Sequence, residues 1–328
     1  MEAQNNKLIR RNSFLLIIAA MIWGGAFVAQ SAGGDAVGPY TFNCVRCVIG
    51  GLVLLPVIKF SDRMGRTHRR PVSREDKRTL LTAGIACGVA LSVASNLQQV
   101  GINMGTPVGK AGFLTACYML LVPILGLFIG KKCSWNIWLG VAVTVIGLYL
   151  LCMRGSFSVR VPDLLILLCA LCFAVQILIV DNYAGRVDGV RMSCIQFLVS
   201  GIISAVPMIF SDMGLSARGI SEWASALADS RSWISILYAG VLSCGVAYTF
   251  QIIGQRGMNP TVASLLMSLE SVFSVLAGWV LLRQTLSPRE IFGCLLIFGA
   301  VILAQLRVPQ RRGRKPDRVR QTDKGEGV

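Results

Sequence analysis

The chain has 328 residues, 54% of them hydrophobic and only 15% charged, with a formal net charge of +16. A water-soluble domain carries about 25% charged residues, so this composition argues against an ordinary soluble enzyme and against a disordered chain, and leaves a membrane protein. The 32 basic residues cluster between long apolar runs, at Lys7, Arg10 and Arg11, from Lys59 to Arg78 and from Arg307 to Lys324. That is the pattern of topogenic charge on the cytoplasmic side of a membrane rather than of a nucleic-acid surface.

In chain order, apolar stretches fall at 13–32, 41–60, 80–101, 108–130, 135–153, 163–182, 192–210, 233–255, 261–282 and 288–306. Most reach the roughly 20 residues that a helix needs to cross the hydrocarbon, so ten spans are predicted. The first is too long for the apolar core of a signal peptide and is kept as a span. With the N-terminus inside, 24 Lys and Arg fall on the cytoplasmic side and 7 outside, with Arg46 within the second span. Both termini are therefore expected in the cytoplasm, in a multi-pass protein of the inner or plasma membrane.

A shift of 153 positions lays 86–154 over 239–307 without a gap. Gln98 meets Gln251, Gly101 meets Gly254, Pro107 meets Pro260, Ser134 meets Ser287 and Gly140 meets Gly293. Five spans per repeat is an odd number, so the two halves would cross the bilayer in opposite senses. The predicted fold is an all-α integral membrane protein of ten transmembrane helices in two inverted five-helix repeats. A cytoplasmic segment at 1–12 precedes the repeats at 13–154 and 162–306, and a basic, disordered tail at 307–328 follows. Inverted repeats point to a transporter with a substrate site near the midplane where the halves meet.

The first span reads Trp23-Gly24-Gly25-Ala26-Phe27-Val28, the second carries Pro39, Phe42, Arg46 and Pro56, and the ninth reads Leu269-Glu270-Ser271-Val272-Phe273. In these motifs and their order, over about 13–306, the chain resembles EamA-domain proteins of the drug/metabolite transporter superfamily. The resemblance implies a ten-helix inner-membrane carrier with the third, fourth, eighth and ninth spans around a central cavity. Members commonly carry Gly-Glu at the ends of the fourth and ninth spans, where this chain has Gly130-Lys131 and Arg283-Gln284. No role of those glutamates carries over.

Polar residues inside the spans are the candidate substrate or cavity residues, because a charge facing lipid is costly and usually functional. Glu270 lies ten residues beyond Pro260, roughly 15 Å along the helix and close to the bilayer middle. It could take up and release a proton during transport, or serve as a structural carboxylate. Arg46 stands about 9 Å inside the second span and Lys110 opens the fourth. Each could clamp a substrate carboxylate or phosphate or pair with Glu270, and Lys110 could instead snorkel to the interface. Ser92, Ser95, Asn96, Gln99 and Asn103 form a polar stripe on the third span, and Tyr248, Gln251 and Gln255 one on the eighth. Gln98 and Gln251 are mates under the shift, and Tyr118 completes the candidates. Hydrogen bonding between helices accounts for such stripes equally well. Ser264, Ser268, Ser271, Ser274 and Gly278 read as a close-packing strip, and Pro107, Pro123 and Pro260 as hinges.

Enzymatic constellations are thin. His68 is the single histidine, and the pairs Cys44/Cys47 and Cys169/Cys172 lie inside apolar spans, where cysteine behaves as a small hydrophobe. No catalytic residue, cofactor or metal is expected. The function predicted is a secondary transporter that moves a small polar metabolite, amino acid or drug-like compound by alternating access, with proton coupling open. The competing reading is a membrane-embedded enzyme or scaffold. Expected partners are a small-molecule substrate, the lipid bilayer and protons, with no nucleic acid; a homodimer stays open.

Overall fold

A computed structural model describes residues 2–65, 67, 69–131, 133–152, 160–282 and 287–305, and these are helical with no strand among them. The helices are α1 (Glu2–Val37), α2 (Pro39–Arg63), α3 (Arg74–Asn103), α4 (Val108–Ala116), α5 (Tyr118–Phe128), α6 (Trp135–Cys152), α7 (Val161–Tyr183), α8 (Gly189–Pro207), α9 (Ala217–Ala228), α10 (Ser230–Leu237), α11 (Tyr248–Gly254), α12 (Pro260–Met267), α13 (Glu270–Leu282) and α14 (Pro288–Gln305). Two π-helical segments, Met208–Met213 and Tyr238–Ala247, continue α8 and join α10 to α11. The expected tail at 307–328, together with His68, Lys132, Arg154, Arg283 and Gln284, lies outside the described residues.

Local chemistry sets the helix ends. Ser73 and Asp76 form a reciprocal capping box at the start of α3, Asp188 accepts from the Arg191 amide at α8, and Asn259 accepts from the Thr261 amide at α12, satisfying amides that the first turn leaves without partners. Gly105 and Gly257 follow α3 and α11 with φ of 89° and 68°, a conformation glycine adopts without steric cost.

Among the described residues, eight helical stretches are long and apolar enough to cross a bilayer. They are Leu8–Val37, Pro39–Arg63, Arg74–Asn103, Lys110–Phe128, Val161–Tyr183, Gly189–Met213, Ser232–Gly254 and Pro260–Ala277. The fold is thus an all-α, multi-pass membrane protein. The spans expected at 135–153 and 288–306 appear as α6 and α14, of 18 residues each. Among the described residues, neither is one of the eight, and the apolar stretch of α6 is Trp135–Leu151.

Three departures from the expected spans bear on the site. The fourth span breaks at Cys117 and the ninth at Ser268–Leu269, and at both places i→i+3 bonds tighten the backbone. At the second break the Ser264 and Ser268 hydroxyls donate to the Thr261 and Leu265 carbonyls, each at 2.8 Å. Such back-bonding competes with the helix ladder and bends it. Ser264 and Ser268 thus bend the helix, Ser274 further along the strip lies at a close approach of α1 to α13, and the breaks do not fall at Pro107, Pro123 or Pro260. The eighth span contains ten π-helical residues, which rotate everything after Ala247 relative to a regular helix.

Helix packing pairs α2 with α8, α6 with α14, α3 with α7, and α1 with α13 and the α10–α11 rod. Two of these pairings follow the 153-residue offset. Cys47 Sγ lies 3.6 Å from Ser200 Oγ across α2 and α8. On α6 and α14, a Cβ at Gly140 would stand 3.2 Å from the Ala300 carbonyl oxygen and one at Gly147 would stand 2.9 Å from that of Gly293. Those two contacts exchange under the 153 shift. Gly293→Val should therefore lower stability by about 1–3 kcal/mol through overpacking, seen as a lower melting temperature. Gly299→Val, with nothing within 4 Å, should leave melting unchanged.

Candidate functional site

The interrupted helices converge. α5 begins at Tyr118 and α13 at Glu270, and the Tyr118 hydroxyl donates to Glu270 Oε1 at 3.3 Å. Discontinuous helices with their ends turned toward one point are a recurring device for building polar sites at bilayer depth. Around this pair lies a narrow cavity of about 50 Å³. Helices from both halves of the chain enclose it: α1, α2, α3, α4 and α5 from the first, and α7, α8, the Tyr238–Ala247 segment, α11, α12 and α13 from the second.

Six of the candidate residues line it: Arg46, Gln98, Tyr118, Tyr248, Gln251 and Glu270. Tyr248 is held edge-on between Trp23 and Phe197, with ring centroids 4.7 and 5.3 Å away. Gln98 donates to Thr115 Oγ1 at 3.0 Å and Gln251 to Gln176 Oε1 at 3.1 Å. Arg46 is buried, with its guanidinium carbon 5.3 Å from the Phe42 ring centre. It makes no ion pair among the described residues, and its Nε has no hydrogen-bond partner. Glu270 likewise forms no ion pair among them, so Arg46 and Glu270 share the cavity without neutralising one another.

The other three candidates do other work. Asn96 accepts from Asn43 Nδ2 and donates to Ser204 Oγ, both at 2.9 Å, tying α3 to α2 and α8. Gln99 donates to the Gln30 carbonyl at 2.8 Å and to Asn103. Lys110 neither snorkels nor reaches Glu270. Its Nζ lies 2.6 Å from Asp163 Oδ2, with side chains 11% and 0% exposed. Asp163 opens α7 and also accepts from the Arg160 amide and Thr106 Oγ1, so the carboxylate both caps its helix and binds the start of α4.

Sequence reasoning passed over Trp23, Gln30, Cys47, Thr115, Gln176 and Cys244, all on the cavity wall. Trp23 and Gln176 are 153 residues apart but differ in type, so the repeat comparison, which rests on matching residues, carries no signal for them. Five wall atoms are buried without a hydrogen-bond partner: the donors Trp23 Nε1, Arg46 Nε and Gln176 Nε2, and the acceptors Gln30 Oε1 and Gln251 Oε1. Among the described residues no three His, Cys, Asp or Glu side chains stand together to hold a metal ion.

The EamA-like transporter family matches this chain twice, over residues 11–153 and again over 160–306. The chain belongs to that family. This EamA-like protein is 27% identical over 294 residues to an uncharacterized transporter of Archaeoglobus fulgidus, covering 89% of this chain and 85% of the relative. It is 25% identical over 300 residues to the threonine/homoserine exporter RhtA of Escherichia coli (89% and 88%), and 23% identical over 290 residues to that organism's uncharacterized inner membrane transporter YedA (87% and 88%). A crystal structure 20% identical in sequence superposes with a TM-score of 0.70 over 90% of this chain and 96% of the other, which shows a shared fold. Family membership and transporter relatives make this EamA-like protein a secondary transporter.

The ion pair generates a stability test. Lys110→Met leaves the Asp163 charge with only its Arg160 amide and Thr106 bonds, and removing one partner of a buried pair costs about 3–5 kcal/mol. The variant should melt well below the parent protein, while Arg218→Ala, which removes an exposed pair with Glu222, should change melting little.

Proposed function

We propose that this EamA-like transporter moves a small polar metabolite of the amino-acid or drug-like class through the Tyr118–Glu270 cavity by alternating access. In this reading ten helices cross the cytoplasmic membrane, α6 and α14 included, as two inverted halves that rock around the cavity with both termini in the cytoplasm. The protein is a carrier and not an enzyme. The observation that carries the proposal is the set of unpartnered buried donors and acceptors on the cavity wall. A buried polar group without a partner is costly, and a polar substrate would satisfy these groups while an apolar one would not. The exchange of the α6–α14 contacts under the 153 shift and the double family match support the two-half architecture.

Arg46 would bind an anionic group of the substrate. Its planar fork is always charged and is suited to a carboxylate, and among the described residues no carboxylate pairs with it. Glu270 would carry a coupling proton, with the Tyr118 hydroxyl orienting it. The threonine/homoserine exporter of Escherichia coli makes these two amino acids the first probes to try.

Two measurements in proteoliposomes test this. Arg46→Ala should weaken substrate affinity about tenfold or more, the loss of a hydrogen bond to a charged group, with folding kept as judged by melting. Unchanged affinity would remove the assigned role. Glu270→Gln should retain substrate binding and lose the pH dependence of transport, whereas a variant with the full pH profile of the parent would rule out proton carriage by this group.

A further inference from the structure

A second cavity, of about 300 Å³, shares no lining residue with the central one and is lined by Arg69, Arg70, Pro71, Asp76, Leu80, Arg186, Val187 and Asp188. Its walls come from both halves of the chain: the approach to α3 on one side and the α7–α8 turn on the other. Arg256, in the turn after α11, adds to the charge. Its guanidinium packs on Gly189, and its backbone carbonyl accepts from Asn12 Nδ2 at 2.8 Å. Burial lowers the proton affinity of Arg256; Asp188 opposes that, and the nearby charges of Arg11 and Arg69 add to it.

The acids at this place are already engaged. Asp76 is bonded to Ser73 in the capping box, Asp188 caps α8 and meets Arg191, and Asp62 takes Arg191 at 2.6 Å and the Thr67 hydroxyl. Among the described residues, Arg69, Arg70, Arg186 and Arg256 form no ion pair, and Arg256 Nε is buried without a partner. Arg69 is moreover held at a φ of 60°, a region that non-glycine residues enter rarely. Asp62, Asp76 and Asp188 temper this charge electrostatically, yet they leave guanidinium donors on Arg69, Arg70 and Arg186 that an anion with several oxygens can take.

We propose that this pocket binds a phosphate-bearing anion, an anionic phospholipid headgroup or a free phosphate compound, held by Arg69, Arg70 and Arg186. Guanidinium forks match phosphate oxygens, and basic pockets between membrane helices on the cytoplasmic side recognise lipid headgroups. Because its ligands come from both halves, the bound anion would tie the two halves together at one membrane face. The proposal stands independently of which substrate the central cavity takes.

The test uses the full-length protein in nanodiscs, in phosphate-free buffer at constant ionic strength held with chloride. One arm compares phosphatidylcholine with phosphatidylglycerol discs, and the other adds inorganic pyrophosphate to phosphatidylcholine discs. Occupancy should raise the melting temperature by about 2–4 °C in at least one arm. A rise with phosphatidylglycerol identifies a headgroup and a rise with pyrophosphate a free phosphate. Arg70→Gln/Arg186→Gln should abolish the rise. Should that double variant melt too low to read, Arg70→Gln alone, with its exposed side chain, should keep the parent's ligand-free melting temperature and reduce the shift. No rise in either arm, or a rise that the variants retain in full, overturns the proposal.

Discussion

A polar side chain in hydrocarbon has no water to fall back on, and this single constraint organises the protein. Asn43, Ser92, Asn96 and Ser204 satisfy one another between α2, α3 and α8, and Thr249 bonds to Ser193 and to the Gly245 carbonyl. Lys110, Asp163 and Thr106 do the same with charge. Buried polar atoms without partners do occur elsewhere, on Asn43, Gln196 and Gln255 among others, but five of them gather on the wall of the central cavity, where a polar substrate can supply the missing bonds.

Glycine makes the bundle tight enough for the constraint to work. Gly24 brings α1 against the backbone of α13, where a Cβ would stand 2.7 Å from the Ser274 amide nitrogen. Without a strong hydrophobic drive between helices in lipid, such close approaches supply much of the association. They also position Trp23 beside Tyr248, so packing and site geometry share the same few residues.

Much of this was legible in the chain itself. A hydrocarbon slab of fixed thickness imposes a run length, so the spans could be read from hydropathy, and the 153-residue offset pointed to Gln98 and Gln251, both of which reach the cavity. The interruptions could not be read, because a serine hydroxyl turning back on its own helix or a π-helical turn leaves mean hydropathy unchanged. Nor could the polar stripe of α3 be divided. Ser95 and Gln98 face the cavity while Ser92, Asn96 and Gln99 bond to neighbouring helices, a split decided by rotation about the helix axis. Asp163 was invisible as the partner of Lys110 because 53 residues separate them and only the fold brings α4 to the start of α7.

The attachment of α4 and α5 to α7 has a mechanical side. At one end Lys110 and Asp163 form a buried pair, and at the other Lys131 meets Asp181 at 2.6 Å with the lysine 45% exposed. The first is costly to break, while the second is screened by solvent and worth little. The rod is therefore pinned at one face and merely latched at the other. A rod so mounted, jointed at Cys117, is held by charge more firmly at the Lys110 end than at the Lys131 end.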